Sequence, residues 1–260
     1  MTKPSWQDFG THDESAVPEL WDGVAFAAAP CLGPTGLRLH DHSRRVNWGT
    51  LTNLVPSTDY VVQSGQYTLR FDGTNKSVQF SSLPLVTFAR GFSMSCWVRN
   101  ITTPNADGSP FSYRLSPMIW IDGGLVKAFW NGVKASGSTT VTSRSAWSML
   151  SIAWTGSRAE VYIDGRLDGS GATASAPVPD VLPFAIGLYA ESPLRNVAGD
   201  VDDAVIWSRS LSPNEWRQLY QLGRGGMYQR RRRRAIYLPQ AGFQAAWARG
   251  SNVMLGFNQP

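Results

Sequence analysis

Short runs of alternating apolar and polar residues, separated by turn residues, fill most of the chain and predict strands. A first strand is expected around Gly23–Phe26. Leu37 and Leu39 alternate with Arg38 and His40 in a short edge strand, followed by a polar loop from Asp41 to Trp48. Tyr67 to Phe80 reads as two strands around Asp72-Gly73-Thr74-Asn75, and Phe92 to Arg99 as a further strand with Cys96 and Trp97 on opposite faces. Met118–Ile121 and Leu125–Trp130 form a hairpin over Asp122-Gly123-Gly124. Ser148–Trp154 and Ala159–Ile163 form a meander around Thr155-Gly156-Ser157, continued by Asp164-Gly165, a strong hairpin signal. Phe184–Tyr189 is another strand. Residues 100–117, Asn131 to Thr140 and 168–183 are expected as loops, because they are polar or rich in Gly, Ser and Pro.

The alternation is most informative in Val201 to Trp207. It places Val201, Asp203, Val205 and Trp207 on one side and Asp202, Ala204 and Ile206 on the other. A short helix follows with a written start. Ser212 is the N-cap, Pro213 the first helical residue, and Glu215 completes a capping box. Trp216, Leu219 and Tyr220 form its apolar face. About a dozen strands at intervals of roughly 8–12 residues predict an all-β, two-sheet antiparallel sandwich with one short capped helix. Residues 1–17 read as an N-terminal arm, 18–221 as the domain and 222–260 as a C-terminal arm.

Charge changes this picture only at the end of the chain. The 19 acidic residues all lie at or before Glu215, and residues 1–221 hold 17 Lys and Arg, net −2. Residues 222–260 carry seven arginines and no acid, net +7, so the pI near 9.4 describes an arm and not the domain. That arm opens as a Gly-rich hinge, GRGGMYQ, then presents Arg230, Arg231, Arg232, Arg233 and Arg234, and later Tyr237, Phe243 and Trp247. Such a block can be solvated, contact nucleic acid, or dock on acidic protein surface. The interleaved aromatic residues favour a protein partner over nucleic acid. The start of the sequence has no apolar signal-like stretch and no run approaches the ~20 apolar residues of a membrane helix, so synthesis in a cytosol is expected.

Candidate chemistry is sparse. Cys31 and Cys96 lack metal-ligand spacing; Cys96 reads as a small buried hydrophobe, and a Cys31–Cys96 disulfide is the alternative. His12, His40 and His42 lie in arm or loop with no nucleophile elbow near any serine. Trp120, Trp130 and Asn131 could make a sugar-stacking platform, although aromatic residues in this number more often fill a core.

Five segments in order, LRFDGTNKSVQF (69–80), FSMSCWVR (92–99), WSMLSIAWTGSRAEVYIDGRLDGS (147–170), FAIG (184–187) and GDVDDAVIWSRSLSPNEWRQLY (199–220), resemble the laminin-G-like branch of the concanavalin A-like jelly-roll superfamily. The resemblance implies a lectin-like jelly roll without fixing a function, because the fold hosts binders, enzymes and structural modules. Hydrolases of the superfamily place paired carboxylates on one strand; here only Glu160 and Asp164 come near, and Asp164 belongs to a turn. The resemblance also implies a structural calcium held through Asp202. The opening APCLGPTG…GTLTN (29–36 and 49–53) and the arginine-rich arm resemble jelly-roll proteins of bacteriophages. That likeness implies a non-enzymatic virion protein, foremost a capsid decoration or cement protein that self-associates and is tied by its arms to other capsid or tail proteins. A tail or fibre module binding host carbohydrate is the alternative.

Overall fold

The structure is a computed structural model, and it describes residues 17–43, 47–81, 88, 91–103, 107–113, 117–172, 176–177, 184–188 and 195–228. Among these, sixteen strands form two antiparallel eight-stranded sheets. The first sheet runs, in spatial order, β14 (Arg166–Ala172), β13 (Arg158–Ile163), β12 (Ser148–Trp154), β7 (Phe92–Thr102), β16 (Ala198–Trp207), β5 (Gln66–Asp72) and β4 (Tyr60–Gln63), with β1 (Val24–Ala28) also paired to β16. The second runs β11 (Val133–Thr140), β10 (Leu125–Phe129), β9 (Met118–Asp122), β8 (Asp107–Ser112), β15 (Phe184–Ile186), β6 (Ser77–Phe80), β3 (Trp48–Thr52) and β2 (Arg38–His40). This is the jelly-roll sandwich that the sequence predicts.

The core between the sheets is aromatic at its centre. The Phe26 ring meets Phe80 and Phe184 edge-on at 4.7 and 4.5 Å, and Phe80 and Phe184 stack on each other at 4.6 Å. A second apolar layer covers the other face of the first sheet. There Trp97, Met149, Tyr162, Val205 and Trp207 pack under α1 (Pro18–Trp21) and α3 (Pro213–Leu222). The capping box of α3 is present: Glu215 N donates to Ser212 Oγ at 3.3 Å, and Ser212 N donates to Glu215 Oε2 at 2.7 Å. Trp216 is fully buried, whereas Tyr220 is partly exposed and stacks on Trp97 at 5.6 Å. Cys96 sits between the sheets and Cys31 in the outer layer, both as buried free thiols.

Three segments differ from expectation. The expected loops at 100–117, 131–140 and 168–183 contain β8, β11 and β14. Their apolar alternation is weak. β11 and β14 are edge strands of the two sheets, and they are held by backbone approach and polar contacts. Asp168 on β14 accepts from the amides of Ser138 and Thr139 on β11 at 2.8 and 3.0 Å. A Cβ at Gly169 would lie 2.0 Å from the Ser136 carbonyl oxygen, and one at Gly171 2.2 Å from that of Lys134. Glycine is therefore what lets the two edges touch and seal one side of the sandwich. The domain also ends later than residue 221. The expected hinge at 223–228 is a turn whose Arg224, Met227 and Tyr228 are buried. No helix among the described residues is long and apolar enough to cross a membrane.

Candidate functional site

The site is built on a discontinuity in β16. One edge of this strand is shared: β5 pairs with Ala198–Val201 and β1 with Ala204–Trp207. Asp202 and Asp203 fall in the gap between these two ladders. The pairing with β7 shifts register there, and Asp203 takes φ +43°, so the strand is bulged. A bulge reverses the parity of everything after it. Val201 faces the space between the sheets, and so do Ala204 and Ile206, whereas Val205 and Trp207 face the outer layer. The strict alternation expected from the sequence is corrected at this point.

Both carboxylates are buried, and their partners come from both ends of the domain. Asp202 Oδ1 accepts from the amides of Cys31 and Asp203, each at 2.9 Å. Arg224, in the turn after α3, donates from Nη1 to Asp202 Oδ2 at 2.8 Å and to the Tyr67 carbonyl at 2.9 Å. Its Nη2 donates to the Gln63 carbonyl. The Cys31 thiol donates to Asp203 Oδ1 at 3.2 Å, and the Gly225 amide donates to Asp203 Oδ2. Trp21 Nε1 donates to the Met227 carbonyl at 3.3 Å, and Tyr228 packs edge-on to Trp21. The acid pair thus pins the segment 224–228 onto the sheet.

One guanidinium faces two carboxylates, and that sets the electrostatics. Burial pushes the Asp202 and Asp203 carboxyls up; for Asp202 the neighbouring Asp203 charge adds to this, and Arg224 opposes it at both. Burial and the two acids push the Cys31 thiol well up, so it remains a thiol and not a reactive thiolate. A small cavity of about 10 Å³ lies beside Asp203, lined by Ser95, Trp97, Leu219 and Met227. It offers room for roughly one water.

A sequence model described as the concanavalin A-like lectin/glucanases superfamily matches residues 72–215, more than half of the chain. The chain belongs to that superfamily. Solved structures similar to this superfamily member include the binding domain of Paraclostridial Mosquitocidal Protein 1 (16% identity, TM-score 0.59, 77% of this chain and 52% of that one). A second is the botulinum neurotoxin serotype D ligand binding domain in complex with N-acetylneuraminic acid (13% identity, TM-score 0.59, 79% and 52%). At these identities the likeness is one of fold, and the chain spans about half the length of those structures. No curated protein sequence matches it. Cys31, Arg224 and Tyr228 lie outside the matched span 72–215.

Within this lectin-fold domain the calcium expectation at Asp202 meets a different cation. The ligand atoms of Cys31, Asp202 and Asp203 lie within 4.8 Å of one another. Yet the acid pair is engaged by the Arg224 guanidinium and by backbone amides, and the third group is a protonated soft thiol. Calcium needs six to eight hard oxygens, so this set fits an arginine and not calcium. A second buried acid on the same strand, Asp200, is likewise held by arginines: Arg70 Nε at 2.8 Å and Arg99 Nη2 at 2.6 Å. Trp147 joins the two sites, with the Arg99 guanidinium 5.4 Å and that of Arg224 4.3 Å from its ring centre.

The expected sugar platform is not assembled as an open face. Trp130 is 1% exposed and belongs to the core between the sheets. Trp120 stacks on Phe129 at 5.3 Å and is covered by the Arg195 guanidinium at 4.6 Å. Asn131 is exposed in a left-handed turn, its carbonyl accepting from Lys134. Arg230 to Arg234, Tyr237, Phe243 and Trp247 lie outside the described residues. Sequence reasoning missed Arg224 and Cys31. The available signal was the adjacent pair Asp202-Asp203 inside an apolar strand, which demands a counter-charge once buried.

Proposed function

We propose that this protein is a non-enzymatic structural protein of a bacteriophage particle, placed as a capsid decoration or cement protein. It uses its lectin-fold domain as a rigid body and its C-terminal arm as the tie to neighbouring subunits or to other capsid or tail proteins. The observation that carries this reading is the pinning of residues 224–228 by Asp202 and Asp203. It carries the described fold as far as Tyr228, immediately before the basic, apolar residues 229–260 of the sequence. The layout of the sequence around 29–36 and 49–53 supports the phage setting. The buried, arginine-bound state of the Asp202–Asp203 pair supports a non-catalytic role. Deleting residues 229–260, which spares the pinned turn, should abolish incorporation into particles. Unchanged incorporation overturns the reading.

Carbohydrate recognition is the second reading. It is favoured by the lectin fold of the domain and by the N-acetylneuraminic acid named for one structural relative. It places the protein in a tail or fibre module that touches host glycan. Binding on an array of sialylated glycans supports it; a silent array removes it.

A further inference from the structure

The two sides of the sandwich are finished differently. One is sealed where Asp168 of β14 clamps β11. On the other, the end strands β4 and β2 each have one strand neighbour among the described residues. Exposed apolar residues gather on this second side. Val62 of β4 is 59% exposed and faces Tyr67 across the β4–β5 ladder, and the Tyr67 ring lies against Gly33, next to exposed Leu32. Leu37, at the entry to β2, is 66% exposed. An apolar strand edge of this kind is a template for another strand.

The chain itself supplies a candidate occupant. Arg224 donates to the carbonyls of Gln63 and Tyr67, so the last described turn sits on the β4–β5 hairpin. After Tyr228 come 32 residues with six arginines, no acid and the apolar run Ala235-Ile236-Tyr237-Leu238. Residues 1–228 hold 18 basic and 19 acidic residues, net −1, so charge does not oppose the approach of this segment.

We propose that the β4 edge, with Val62, Tyr67 and Leu32, receives the 235–238 segment of a neighbouring copy as an added strand. This deepens the assembly reading and rests on it, since it names the partner as a second copy. The contact is heterologous: the donor surface differs from the acceptor surface, so copies link head to tail into a ring or an open chain.

Two full-length variants test it. Val62→Glu puts a charge on the acceptor edge and leaves the arm intact. Ile236→Asp with Tyr237→Asp spoils the arm and leaves the edge intact. By light scattering after size exclusion, the wild type should be a multimer and each variant alone a monomer, and a mixture of the two should give a 1:1 dimer in which one arm meets one edge. Leu32→Glu, at the exposed position beside the Tyr67 ring, should act like Val62→Glu and guards against a folding defect. Val133→Glu, on the sealed side, should remain a multimer.

A monomeric wild type, self-association of the arm variant by itself, or no dimer in the mixture overturns the proposal. Loss of particle incorporation without the 1:1 dimer leaves the assembly reading standing and removes only this docking.

Discussion

Asp200 and the Asp202–Asp203 pair lie two to three residues apart on one strand and solve the same problem in different ways. Asp200 is buried, but its two arginines come from β5 and β7, the strands hydrogen-bonded to it, and Arg70 remains half exposed. That ion pair is a property of the sheet and exists once the sheet exists. Asp202 and Asp203 take their cation from a turn beyond the last helix and a backbone amide from Cys31 near the start of the domain. Their satisfaction therefore reports that both ends of the domain have closed. A buried charge near solvent has a fallback; one that depends on a distant segment has none.

Cutting the distant partner should expose this difference most. Arg224→Ala leaves two buried carboxylates facing each other, and breaking a buried pair in this way costs about 3–5 kcal/mol. Urea unfolding should show that loss, with increased amide exchange at Gly225 and Met227. A loss below ~1 kcal/mol would mean that the turn does not close the domain.

Asp200→Asn should cost less, roughly 1–2 kcal/mol, because water can reach Arg70. If the two variants are equally damaged, the contrast between the sites disappears.

A smaller effect separates the sites by pH. The Asp202 and Asp203 carboxyls are raised in the folded state, so their contribution is fully present below the unfolded value near 3.9 and is lost as pH rises through the folded values. Asp168 shifts the other way. Burial works to raise it, but the hydrogen bonds from Thr139 and Ser138 outweigh burial and hold it low. Its contribution is present above the unfolded value and lost as pH falls through the folded one. Asp203→Asn should remove stability loss on the alkaline side of about pH 4, and Asp168→Asn should remove loss on the acid side. Stability curves against pH for the two variants check the opposite signs.

The smallest expected effect is that of calcium. Adding or chelating it should leave the thermal midpoint of the wild type unchanged, because Arg224 and two amides already engage Asp202. A rise of several degrees with calcium would show that the ion displaces the arginine.

Much of the fold could be read from local pattern. Phe92–Arg99, Ser148–Trp154 and Ala159–Ile163 alternate or run apolar because the sandwich buries them. Ser212, Pro213 and Glu215 start a helix through contacts made within one turn. β11 and β14 escaped notice because polar contacts and glycine approach between edges leave no apolar period, and β8 because its sequence, DGSPFS, is polar and proline-interrupted although the sheet buries it. The site was half legible. Asp202 stood out by its family position, but the bulge that turns Asp203 to the outer layer, toward Cys31 and Gly225, and the arginine that answers both acids were invisible.

By itself, then, the sequence determined the strand-rich class, the capped helix and the division of charge between the domain and its arm. These depend on residue type and near neighbours. Only the tertiary structure decided that β16 is shared by two ladders, that parity reverses at Asp203, and that Arg224 closes the gap. Those outcomes join residues some 20 to 170 positions apart, and no local period records which distant charge will be present when a carboxylate is buried.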